Sequence, residues 1–175
     1  MYIPPHCKMC LKISFTNYII FHPLTFFYMW CYRLNDDVQS ATPFWSKPQV
    51  DWIKCNIDCA LFKAEGKFGV DICFRDNLGH LIQGNSMVFL YVTTAPKCEA
   101  TALQQALQIA LDLGLNQVVF ESDCQLVMNA VLNNSSYMNE LWSLLSNCRT
   151  LLLSNASYVL AYIKRLVNIV DHNLP

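Results

Sequence analysis

Within residues 50–62, VDWIKCNIDCALF, apolar and polar residues alternate strictly from Ile53 to Cys59. Ile53, Cys55, Ile57 and Cys59 fall on one side, and Trp52, Lys54, Asn56 and Asp58 on the other. A period of two belongs to a strand with one buried face. Slipping its pairing by one residue would turn the whole apolar set outwards, so the stretch commits the chain to a sheet with a fixed register. The following run, GKFGVDICFRDNLGHLIQGNSMVF, holds two more strand-like segments around the turn signal DNLG. Three strands in succession point to an antiparallel meander.

The period changes after residue 97. In KCEATALQQALQIALDLGL (97–115), Leu103, Ala106, Ala110 and Leu113 recur at helical spacing and Gly114 supplies a C-cap. QVVFES (117–122) reads as a short buried strand. SDCQLVMNAVLNN reads as a helix, with Ser122 and Gln125 placed as a capping box. MNELWSLLSNCRTLLL (138–153) is a further helix, apolar at Leu141, Leu144, Leu145, Cys148 and Leu152. SYVLAYIKR (157–165) is a fifth strand. The expected fold is α/β: a mixed five-stranded sheet in the order βββαβααβ, flanked by helices, with the helix-linked strands parallel.

Residues 1–46 differ from the rest and read as an apolar leader and linker, with the folded domain at 47–175. The apolar run YIIFHPLTFFYMWCY (18–32) is interrupted by His22 and Pro23 and falls short of the roughly 20 residues a spanning helix needs. No small-residue cleavage site follows it. Neither stable membrane association nor secretion is expected. The nine cysteines are an odd number, and Cys55, Cys59, Cys73 and Cys124 lie in apolar or strand-like runs. They read as reduced core thiols of an intracellular protein, nuclear or cytoplasmic. CKMC (7–10) has ligand spacing, with His6, His22 and Cys31 nearby, but no second matched pair exists and a zinc site is not expected. A net charge of −1 argues against a domain built for nonspecific adhesion to nucleic acid, though not against an enzyme with a narrow groove.

Of the 13 acidic residues, three stand out. Asp58 closes the first strand, Glu99 heads the buried stripe of the first helix, and Asp123 lies where the buried strand meets the next helix. Helix N-termini favour acids, which is a sufficient account of Glu99 and Asp123 taken singly. If the first and fourth strands are adjacent, however, the three converge at one end of the sheet. Carboxylates held together repel and call for a cation. Hard oxygen ligands suit Mg²⁺ or Mn²⁺, and two such ions can drive hydrolysis of a phosphodiester.

Four ordered motifs carry a resemblance. WIKCNIDCA resembles the opening W-x-K-x-N-x-D-G-A of plant ribonuclease H-like domains, found alone or at the end of retroelement polyproteins. KCEATALQQALQIALDLG is similar to their A-E-x-x-A-L helix, VVFESDCQLVMNAV to their V-x-x-E-S-D-S-x-x-V-V run, and IKRLVNIVDHNLP to R-E-x-N-x-V-A-D-x-L-A. The agreement spans roughly residues 45–175. It implies the βββαβααβ fold with its final helix truncated, and a monomeric, metal-dependent endonuclease that cuts the RNA strand of RNA–DNA hybrids. By motif position Asp58, Glu99 and Asp123 would be its metal-binding carboxylates, with Mg²⁺ or Mn²⁺ as cofactor, two ions in all. Asn56, Lys54 and Arg165, with Lys164, are candidates to meet the nucleic acid.

The departures are specific. Cys59 stands where the family has Gly, Cys98 where it has Ala before the Glu, and Tyr162 where a His often precedes the Arg. The family's fourth acid falls on His172, whereas Asp171 occupies its Ala position. Neighbouring helix residues point about 100° apart, so Asp171 replaces that acid only through a shift of register. The resemblance therefore implies a site of Asp58, Glu99 and Asp123 completed by His172 or Asp171. The alternative is a nucleic-acid-binding remnant of a retroelement with weak or no cleavage.

Overall fold

A computed structural model describes residues 45–133 and 140–165. The alternating stretch forms β1 (Ile53–Phe62), followed by β2 (Lys67–Arg75) and β3 (Leu81–Phe89). Each pairs antiparallel with the next. Between β2 and β3 the Asp76 carboxylate accepts the backbone N–H groups of Leu78 and His80, both at 2.8 Å, which fixes the DNLG turn. The chain then forms α1 (Ala95–Asp112), β4 (Val118–Ser122), α2 (Gln125–Leu132), α3 (Glu140–Leu153) and β5 (Tyr158–Tyr162). The sheet order is β3-β2-β1-β4-β5, with β4 parallel to both β1 and β5. The mixed five-stranded sheet and its βββαβααβ order are those expected from the periodicities.

Three local expectations are corrected. Asp58 does not close β1; the strand runs on to Phe62, because the β2 ladder continues as far as the Phe62–Lys67 pair. Ser122 and Gln125 form no capping box. Ser122 belongs to β4, where it pairs with Tyr162 of β5, and the helix cap falls on Cys124, whose N–H is accepted by Ser122 Oγ at 3.1 Å. Leu113 leaves the buried stripe and is 44% exposed, because it is the C-cap, one residue past the helix end at Asp112, where the chain turns. That turn is a Schellman motif. Leu115 N–H reaches Ala110 O at 2.9 Å, Gly114 N–H reaches Leu111 O at 3.0 Å, and Gly114 has φ 64°.

The core lies between the sheet and α1. Cys55, Ile57, Phe68, Phe74 and Phe120 meet Leu103 and Leu107 there, all essentially inaccessible. Small Ala102, Ala106 and Ala110 let α1 sit close on the strands. α3 is tied back by Arg149, which donates to the carbonyls of Ala130 and Val131 in the last turn of α2. A cation there complements the helix end. No helix among the described residues is long and apolar enough to cross a membrane. All six cysteines in the described residues are free thiols; Cys55 and Cys73 are buried and Cys59 and Cys124 half-buried.

Candidate active site

Strand adjacency is what assembles the site. In the parallel β1–β4 pair Asn56 lies beside Glu121, so Asp58 and Asp123, two residues further along each chain, emerge on neighbouring tracks. α1 packs its first turns over β1 and brings Glu99 down to the same place. One carboxylate oxygen from each of Asp58, Glu99 and Asp123 lies within 4.8 Å of the other two, and all three residues are half-buried. Asp58 Oδ1 also accepts the Cys59 N–H at 2.8 Å.

Glu99 carries most of the strain. Its Oε2 is fully shielded and has no hydrogen-bond partner. Burial, above all, pushes its carboxyl up from 4.5 to about 7; the Cys59 thiol and Arg165 oppose the shift, while Asp123 and Asp58 add to it. A buried anionic oxygen without a donor is costly in a protein alone. A divalent cation satisfies that oxygen and the mutual repulsion together, so the donor set fits Mg²⁺ or Mn²⁺. Thiols crowd the same place. The Cys59 thiol contacts Cys98 and Glu99, which, with burial, hold it strongly protonated.

The residues expected to meet nucleic acid are placed differently from one another. Asn56 does not face solvent; it is 3% exposed and donates from Nδ2 to Glu121 Oε2 at 3.0 Å. The register that puts Glu121 beside it closes that face. Lys54 Nζ pairs with Glu121 Oε1 at 2.8 Å, donates to Ser46 O at 2.7 Å, and lies 5.4 Å from the Trp45 ring. Its ammonium is thus committed inside the protein. Arg165 is 85% exposed at its side chain, with Nε 3.8 Å from Asp123 Oδ2, and Lys164 is exposed. His172 and Asp171 lie outside the described residues.

Sequence reasoning missed two acids. Glu121 is 4% exposed and organises Lys54 and Asn56. Asp71 lies directly opposite Asp58 on β2 and accepts a hydrogen bond from Ser86 Oγ. Burial, with Asp58 adding and Ser86 opposing, raises its carboxyl from 3.8 to about 6. Glu121 stands at the Glu of the V-x-x-E-S-D run, although its partners follow only from the strand register, and Asp71 follows only from alternation once that register is known.

Solved structures with the same fold define the class. The RNase H1 of the halophilic archaeon Halobacterium salinarum NRC-1 is 20% identical with a TM-score of 0.59, over 66% of this chain and 88% of that one. LC11-RNase H1, isolated from compost and solved in complex with an RNA/DNA hybrid, is 18% identical with a TM-score of 0.59 over the same shares. The N-terminal RNase H domain of rv2228c from Mycobacterium tuberculosis is 15% identical with a TM-score of 0.59, over 66% and 84%. No curated protein sequence gives a significant match. The described domain is ribonuclease H-like. Residues 56–174 match the family described as reverse transcriptase-like, and the chain belongs to that family.

Proposed function

We propose that this domain is a metal-dependent endonuclease that cuts the RNA strand of RNA–DNA hybrids. The observation that carries the reading is the convergence of Asp58, Glu99 and Asp123 within 4.8 Å, with Glu99 Oε2 buried and unbonded. Support comes from relatives of the same fold: LC11-RNase H1 and the foamy viral protease-reverse transcriptase have each been solved with an RNA/DNA hybrid. Two Mg²⁺ or Mn²⁺ ions held by these carboxylates would supply an activated water and stabilise the leaving oxygen. The chain's own part is to hold the ligands at fixed distances on β1, α1 and β4, and to release the proton from Glu99. Arg165, an exposed cation 3.8 Å from Asp123 Oδ2, is a candidate to meet a backbone phosphate. The same reading makes the protein a monomeric intracellular enzyme of retroelement origin.

The test is cleavage of a labelled hybrid in Mg²⁺ and then Mn²⁺, with Asp123→Asn as control. Cutting that depends on cation and exceeds the control supports the enzyme; no excess over the control removes it. A second reading, hybrid binding with weak or no cleavage, is favoured by His172 at the place of the fourth acid. A gel shift on the same hybrid distinguishes it, since binding would then persist without cutting.

A further inference from the structure

Asp71 lies outside the motifs, yet the fold sets it against the site. Asp58, Asp71 and Ser86 form one row across β1, β2 and β3, each opposite the next in the register. Opposed residues of antiparallel strands hold their Cβ atoms about 4.5–5.5 Å apart, and like charges so placed destabilise a sheet. Asp71 is kept in this position by the Ser86 hydroxyl. Asp58 and Asp71 line one small cavity, together with Asn56, Ile72, Cys73, Asn85 and Ser86. Asp58 directs Oδ1 along its own strand to the Cys59 N–H. Asp123 follows β4, on the side of β1 away from β2, and Glu99 comes down from α1 to meet both.

We propose that Asp71 is a positioning residue for Asp58: a fixed negative charge that keeps the Asp58 carboxylate turned towards Glu99 and Asp123 and thereby tightens the cluster's hold on a divalent cation. This rests on reading the cluster as a cation site. Ser86 acts through Asp71, as the tether that stops it from turning away. Outer groups that orient a metal ligand through hydrogen bonds change metal affinity by about 10- to 100-fold, and orientation by repulsion is expected at the lower end of that range.

The experiment is calorimetric titration of the full chain with Mn²⁺, with thermal melting of the cation-free protein in parallel. Asp71→Asn keeps the shape and an acceptor for Ser86 but removes the charge. Mn²⁺ affinity is expected to fall about tenfold, while the cation-free melting temperature holds or rises because a repulsion has gone. Asp71→Glu, which restores the charge, should recover part of the affinity. Ser86→Ala, which leaves the charge but frees it, should lose about two- to threefold, less than the charge deletion. A merely structural Asp71 would instead lower the melting temperature and leave affinity alone, and that result overturns the proposal. If Asp71→Asn does not fold, Ser86→Ala decides: unchanged affinity there also overturns it. Loss of Mn²⁺ binding in Asp58→Asn but not in Asp71→Asn rejects the role of Asp71 and leaves the cation site standing. No Mn²⁺ binding by the wild-type chain rejects both.

Discussion

β1 carries two charge clusters on the same face, two to four residues apart along one strand, and they are built on opposite plans. At Lys54 and Asn56 the charges close on themselves. Lys54 and Glu121 pair at 2.8 Å, Asn56 takes the second Glu121 oxygen, and Trp45 with Ser46 lies over the ammonium. At Asp58 like charges meet instead. Three carboxylates converge, a fourth lies opposite, and an exposed Arg165 has Nε 3.8 Å from Asp123 Oδ2. A chain that needed only stability would repeat the first plan. The second accepts repulsion and a shielded oxygen without a hydrogen-bond donor, an arrangement whose donor set suits a divalent cation.

The largest effect on this comparison comes from opening the closed cluster. Glu121→Ala leaves Lys54, whose side chain is 13% exposed, without its counter-charge, and the Asn56 amide without this acceptor. Stability should fall by about 3–5 kcal/mol in denaturant unfolding. The same kind of deletion in the open cluster should act on the other quantity. Asp123→Asn should lower hybrid cleavage by on the order of 10²–10³-fold, with stability in the absence of cation unchanged or raised. If Asp123→Asn instead unfolds the protein, the two clusters are alike and the contrast is wrong.

Proton uptake sharpens the contrast further. Glu99 rises from 4.5 to about 7 and Asp71 from 3.8 to about 6, so both bind protons more readily folded than unfolded. Their contribution is fully present below the unfolded values and is lost as pH climbs through about 6 to about 7. Cation-free protein should therefore melt at lower temperature at about pH 7.5 than at about pH 5. Glu99→Gln should flatten that slope, and Mn²⁺ should offset the loss at the higher pH by binding the ionised form. A slope identical in wild type and Glu99→Gln would remove Glu99 as its source.

The layout of strands and helices was legible because it rests on local period. VDWIKCNIDCALF has to be a strand, and KCEATALQQALQ has to be a helix. Asp58, Glu99 and Asp123 were legible as acids at the ends or heads of apolar runs. What alternation could not give was register. Asn56 and Lys54 looked solvent-facing because their partner, Glu121, is 65 residues from Asn56 and meets it only through the parallel β1–β4 pairing. Asp71 was hidden for the same reason: nothing within β2 says which residue of β1 it opposes. The capping box failed because β4 pairing with β5 holds Ser122 in the sheet.

The smallest effect is the most pointed. If the Lys54–Glu121 pair is structural and self-contained, removing both charges together should cost little. In Lys54→Met with Glu121→Gln the apolar stem still packs under Trp45, and a neutral carboxamide can still accept from Asn56. Replacing a buried ion pair by uncharged groups of similar volume is often neutral or stabilising, so the double variant should lie within about 1 kcal/mol of the parent, far better than Glu121→Ala alone. Hybrid cleavage should persist, because no ligand of the carboxylate cluster has changed. If cleavage collapses while stability holds, Lys54 or Glu121 serves the reaction after all, and the boundary between the two plans on β1 has been drawn in the wrong place.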